Sequence, residues 1–227
     1  VHVKDESSRL GLPSFKILGA SWATFRALAA RAGVRAEDVE NLDGLRKILD
    51  GTNVVLVAAT DGNHGRAIAR MAALLNLKAH ILVPQDMTGA RVDSLRAEGA
   101  RVTIVDGTYD DAVTQSAALA DGQHVVISDT SWDGYESVPG WVIDGYATIT
   151  EETLAKLAET GNSLPTIVAV QIGVGAFAAS IVRSFVPLGA RVIGVEPTEA
   201  ACLLESARAG RPVQLDGPLN SIMAGLN

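Results

Sequence analysis

The sequence predicts an α/β protein built on parallel sheet, and three observations carry that prediction. Short β-branched runs recur: "NVVLVAAT" at 53–60, "AHILVP" at 79–84, "RVTIVD" at 101–106 and "HVVISD" at 124–129. Helical patterns separate them, which is the alternation of βαβ units. Two strand-to-helix turns are rich in glycine, "DGNHG" at 61–65 and "GVGA" at 173–176, a composition suited to holding an anion at a helix N-terminus.

Taken in order, "VHVKDE" at 1–6 reads as a strand, and Pro13 and Ser14 then act as stop and N-cap of a first helix. In that helix Phe15, Leu18, Trp22, Phe25, Leu28 and Ala32 recur at three- and four-residue steps, with Gly33 as C-cap. A second helix is expected near 35–49. The run at 53–60 breaks into its glycine turn and a helix from Arg66 to Leu75, and further helices near 87–98 and 109–120 end in Gly99 and Gly122. A polar aromatic loop, "DTSWDGYESVPG", precedes a long helix from about Trp141 to Glu159. "TIVAVQIGVGAFAASIVRSF" and "RVIGVEP" then form another βαβ unit.

No composition shift marks a domain boundary, so topology sets it. Residues 53–145 are expected as a smaller α/β domain, and residues 1–52 with 146–227 as a larger one. The start at Val1 inside a strand pattern and the stop at Asn227 read as the ends of a fragment that lacks its C-terminal part.

Composition excludes several function classes. A net charge of -7 without basic clusters argues against nucleic acid and anionic membrane partners, which leaves small molecules. Cys202 is the single cysteine, so no internal disulfide forms and nothing points to secretion. His2, His64, His80 and His124 are scattered, with none at the i, i+4 spacing of a zinc site, so no metal is expected. The longest apolar runs have strand length, far short of a membrane span, and a cytoplasmic location follows by default.

Lys16 falls in the first turn of its helix, where the positive end of the dipole disfavours an ammonium and suits a salt bridge poorly. A neutral amine there is a nucleophile able to form a Schiff base with a carbonyl compound; the plain alternative is a solvated lysine at the edge of an amphipathic face. "GVGAFA" at 173–178 fits a monophosphate site, and equally the dinucleotide fingerprint G-x-G-x-x-A, with Glu196 placed as a ribose-binding acid. "TDGNHGRA" at 60–67 discriminates between them: its glycines, asparagine and acid suit anchoring a carboxylate and a polar ring substituent, which a dinucleotide protein does not need. Its simpler reading is a βα turn capped by Asp61 or Asn63.

Lys16 in "SFKILGAS", then "TDGNHG", then "GVGAFA" resemble the fold type II pyridoxal-phosphate enzymes. The sequence is more similar to the diaminopropionate ammonia-lyases within them. "KDES" at 4–7, Asp61 where dehydratases carry serine, "DTSWDGYESVPGWVIDGY" at 129–146, "VEP" at 195–197 and "NSIMAGL" at 220–226 carry that likeness. The resemblance implies pyridoxal 5'-phosphate as cofactor, a homodimer, and conversion of D- and/or L-2,3-diaminopropionate and water to pyruvate and two ammonia molecules. It makes Lys16 the Schiff-base lysine, Asn63 the partner of the cofactor's ring oxygen, and Gly173, Val174, Gly175 and Ala176 the phosphate cradle. Asp61 and Asp129 become active-site carboxylates, one of them expected to stay protonated near neutrality and supply the leaving group's proton. Thr60, Gly62 and His64 are expected at the substrate, His64 also shaping the loop. The partner of the pyridine nitrogen is expected beyond Asn227. The competing functions are another β-eliminating enzyme of this fold, such as a serine or threonine dehydratase, a nicotinamide-dependent Rossmann protein, and an inactive fragment.

Overall fold

A computed structural model of the chain describes residues 1–60, 62–213 and 215. The Asp61 expectation and the "NSIMAGL" stretch therefore lie outside the described residues. The chain divides into two compact units, Asp5–Gly145 and Val1–Lys4 with Tyr146–Asn227.

The first unit is a four-stranded sheet between helices. Its elements are α1 (Lys16–Arg31), α2 (Leu42–Ile48), β1 (Val55–Ala59), α3 (Asn63–Leu74), β2 (Lys78–Pro84), α4 (Gly89–Ala97), β3 (Arg101–Val105), α5 (Tyr109–Ala118) and β4 (His124–Val126). The start of α6 (Ser137–Glu159) completes it. The strands lie in the order β3-β2-β1-β4, all parallel. β1 is central and buried along its whole length, which is why its sequence reads as a continuous apolar run rather than an alternating one. Val57 pairs with His80 on one side and Val126 on the other.

The mixed α/β architecture and parallel pairing follow the sequence expectation, but several local features differ from it. Residues 1–6 form no strand, because an extended segment needs a partner backbone and none pairs with it among the described residues. α1 starts from Phe15 as N-cap rather than Ser14, whose Oγ instead accepts from the Lys16 N–H at 3.3 Å. The buried face of α1 is Ile17, Ala20, Ala23, Thr24 and Leu28, not the aromatic stripe. α1 packs on α3, and small side chains let two helices approach closely. Trp22 is left 37% exposed, stacked on Phe25 and under the Arg26 guanidinium, which also lies over Trp141.

The expected helix over 35–49 is broken into a short 3-10 turn at Ala36–Asp38 and α2, whose N-cap Asn41 accepts from the Gly44 N–H. α6 begins at Ser137, earlier than expected, because Pro139 falls in its first turn, where no N–H is needed. Residues 5–52 pack with 53–145 in this chain.

The second unit contains the rest of α6, then β5 (Ile167–Gln171), α7 (Ala176–Phe185), β6 (Arg191–Val195) and α8 (Cys202–Ala209). β5 and β6 form a parallel pair. Val170, Ile172, Ala178, Ile181, Phe185 and Ala190 build its core. Among the described residues no helix is long and apolar enough to cross a membrane.

Candidate active site

The chemistry-bearing residues of the first unit collect where β1 and β4 end. A parallel sheet with helices after its strands gathers helix N-termini and loops at the strands' C-terminal ends, where ligands of such folds bind. Thr60 follows β1; its Oγ1 accepts from the Gly62 and Gly65 N–H groups, each at 3.0 Å, and folds the loop into α3. Gly62 is the N-cap with φ +155°, a backbone conformation open to glycine. Gly65 is required by space, because a Cβ there would sit 2.3 Å from the Thr60 side chain. Thr60 thus supplies an acceptor to N–H groups at the start of α3. Asn63, the first residue of α3, is exposed and free to reach a ligand's polar substituent.

His64 points inward and is 3% exposed. Its Nε2 lies 2.8 Å from the Ile127 carbonyl. A carbonyl only accepts, so Nε2 carries the proton. Nδ1 lies 3.7 Å from Asp129 Oδ2. Thr60 and His64, both expected at the substrate, are buried, and their Oγ1 and Nε2 atoms bond protein backbone.

Asp129 lies just past β4, and its side chain is 6% exposed. Lys16 Nζ donates to Asp129 Oδ2 at 2.6 Å. The salt bridge judged unfavourable for Lys16 on dipole grounds is therefore made. A half-unit of helix charge at the exposed end of α1 is outweighed by a full, buried counter-charge in contact. Burial opposes ionisation of Asp129, but the charges of His64 and Lys16 and the Lys16 hydrogen bond outweigh it and hold the carboxyl well below the usual carboxylate range. Asp129 in this arrangement is thus an anion, not the protonated acid that the sequence reading expected of one of the two aspartates. A carboxylate held ionised in this way orients the Lys16 side chain and stabilises positive charge on its nitrogen.

In the second unit Gly173, Val174 and Gly175 connect β5 to α7. Gly175 is the helix N-cap at φ +94°, which favours glycine, and Ala176 is the first helical residue. The first N–H groups of α7 have no partner within the helix and, with its dipole, form an anion site. The donor set fits a phosphate monoester. The dinucleotide alternative loses its acid: the Glu196 carboxylate accepts from the Leu203 and Leu204 N–H groups at 2.8 and 3.0 Å and so caps α8. The nearby Cys202 thiol is pushed up by burial and by Glu196, so it is held as a thiol. Among the described residues no group of three histidine, cysteine, aspartate or glutamate side chains could hold a metal ion.

One residue that sequence reasoning missed is Tyr135, whose hydroxyl bonds the backbone on both sides of Ile127. Its only signal was its place in the 129–146 stretch.

Comparison with known proteins agrees with this arrangement. The family of pyridoxal-phosphate dependent enzymes matches over residues 1–227. A diaminopropionate ammonia-lyase of Salmonella typhimurium is 40% identical over 243 residues, covering 100% of this chain and 58% of the relative. The holo diaminopropionate ammonia lyase structure from Escherichia coli superposes with a TM-score of 0.87 at 35% identity, over 98% of this chain and 56% of that one. The same enzyme in complex with an aminoacrylate-PLP azomethine reaction intermediate gives a TM-score of 0.81 at 34% identity, over 98% and 55%. The chain thus spans less than two thirds of the length of the relatives it matches. With the family match running from end to end, the chain belongs to the pyridoxal-phosphate dependent enzymes.

Proposed function

We propose that the whole protein is a pyridoxal-phosphate-dependent ammonia-lyase that converts 2,3-diaminopropionate and water to pyruvate and two ammonia molecules. The observation that carries the reading is the Lys16–Asp129 contact at 2.6 Å beside buried His64, a lysine held in place by a buried anionic partner. The 40% identity to a diaminopropionate ammonia-lyase supports this substrate over those of the dehydratases.

When bound, the cofactor supplies an electron sink for the pair released at the substrate Cα. Lys16 is the residue proposed to carry it, Asn63 to face its ring oxygen, and Gly173, Val174, Gly175 and Ala176 to hold its phosphate. Asp129 is proposed to orient Lys16 and to stabilise positive charge on its nitrogen. Lys16 and Asp61 are proposed as the bases for opposite faces of the substrate, which would let both enantiomers react. The β-amino group must leave as ammonia, since an amide-like anion is too basic to depart. With Asp129 held ionised, Asp61 is the carboxyl proposed to supply that proton. Gly62 keeps the loop's backbone open to the substrate carboxylate.

A homodimer and a cytoplasmic setting belong to the same proposal, as does a two-domain whole protein in which 53–145 is the smaller domain. Acidic composition and a single cysteine support the setting. The test is a substrate panel on the full-length protein: D- and L-diaminopropionate, serine and threonine, with pyruvate and ammonia both measured. Two ammonia per pyruvate from diaminopropionate, at a kcat/KM well above that for serine and threonine, is the expected result. Preference for a hydroxy amino acid would replace the reading with a dehydratase.

A further inference from the structure

Residues 129–146 gave the most specific sequence resemblance, yet beyond Asp129 none of them has a role in the proposed chemistry. Their geometry supplies one. Trp132 and Tyr135 pair across a tight turn with Gly134 at φ +83°, and their rings stack at 4.1 Å and 7°. The stack directs the Tyr135 hydroxyl onto β4. It donates to the Val126 carbonyl at 2.7 Å and accepts from the Ser128 N–H at 3.0 Å. β4 is an edge strand, and on its other side the Ile127 N–H donates to the Val57 carbonyl at 2.8 Å. One hydroxyl thus serves the backbone groups that a neighbouring strand would otherwise bond.

The consequence falls on the next residue. Ile127 is held from β1 and from His64, Val126 and Ser128 are held from Tyr135, and the Ser128 Oγ accepts from the Thr130 N–H at 3.1 Å, closing a turn across Asp129. The backbone entering Asp129 is therefore fixed on both edges. A carboxylate that must lie within hydrogen-bond reach of Lys16 needs that support, because small displacements of a reacting group have large kinetic effects. We infer that Tyr135 is a positioning residue for Asp129: it sets the Lys16–Asp129 contact by bridging Val126 and Ser128. The inference rests on the reading that Lys16 is the residue that takes the cofactor.

The test uses the full-length protein freed of cofactor, with the rate at which added pyridoxal phosphate becomes fixed to Lys16 by borohydride as the readout. Wild type, Tyr135→Phe, Asp129→Asn and the double variant form a cycle. Tyr135→Phe keeps the ring on Trp132 and removes only the hydroxyl. It should change the rate in the same direction as Asp129→Asn by at least about fivefold, since two hydrogen bonds are lost, and should add nothing in the Asp129→Asn background. An unchanged rate in Tyr135→Phe, or effects that multiply in the double variant, would overturn the inference. If Tyr135→Phe does not fold, Trp132→Leu enters the same cycle, since it removes the stacking surface and retains the hydroxyl. A wild-type protein that fixes no cofactor at Lys16 overturns the proposed function itself, a result distinct from a failed cycle.

Discussion

Asp129 couples three residues brought together from three elements: itself after β4, Lys16 at the start of α1 and His64 at the start of α3. Its charge is sustained by theirs, so removing Lys16 has two effects. Lys16→Ala should abolish cofactor attachment, and it should also lower stability by about 1–3 kcal/mol, because a buried carboxylate loses a charged partner. Urea unfolding with absorbance spectra on the same samples checks both, and a fully stable Lys16→Ala would mean that the ion pair contributes nothing to folding. Asp61 is proposed as the base for one face of the substrate. In that role, Asp61→Asn, which removes basicity and keeps side-chain size, should slow one enantiomer about a hundred- to ten-thousand-fold more than the other. kcat/KM for D- and L-diaminopropionate decides this, and equal losses would remove the two-base scheme.

At the scale of elements, α6 crosses α1 where Gly145 meets the first turns of the lysine's helix. A Cβ at Gly145 would lie 2.5 Å from the Leu18 carbonyl oxygen and 2.9 Å from the Trp22 Cβ. Backbone cannot give way there, so Gly145→Ala should force the helices apart, cost about 1–3 kcal/mol and lower the thermal midpoint. The strands were legible in the sequence because buried parallel strands are apolar on both faces: "VLVAA" announces β1 without its neighbours. Helix existence was legible from periodicity, but the buried face of α1 was not. Large side chains marked the stripe, whereas the buried face also takes the small residues Ala20, Ala23 and Thr24. Lys16, Asp129 and the two glycine loops were legible as motifs. The ionisation of Asp129 and the work of Tyr135 were not, since each depends on partners distant in sequence or on backbone geometry that no spacing encodes.

At the scale of the molecule, charge and apolar surface make separate predictions. Glu98, whose side chain is 7% exposed, bonds Arg66 and Arg70; burial opposes its ionisation and the two arginines outweigh it, so its carboxyl, like that of Asp129, titrates below the ordinary range. A carboxyl with a depressed folded value adds stability above its unfolded value, near 4, and loses it as the pH falls through the folded one. The stability difference between wild type and Asp129→Asn should therefore be constant from about pH 7 to 5 and shrink steadily below about pH 4; urea midpoints across that range test it, and a difference that grows on acidification contradicts it. In the second unit Ile167, Ile193 and Val195 are 53%, 44% and 54% exposed, apolar strand surface that isolated units do not tolerate well. Residues 1–227 alone should turn over little or nothing beside the full-length protein, and comparable rates would contradict that.

The central claim is that Lys16 holds the cofactor, with Asp129 as its hydrogen-bond partner. The most direct measurement is borohydride reduction of the full-length holoprotein, followed by proteolysis and mass spectrometry of the peptides. The account predicts one reduced pyridoxal-phosphate adduct, on the peptide containing Lys16, and none in Lys16→Ala. An adduct on any other lysine, or none in the wild type, would contradict it.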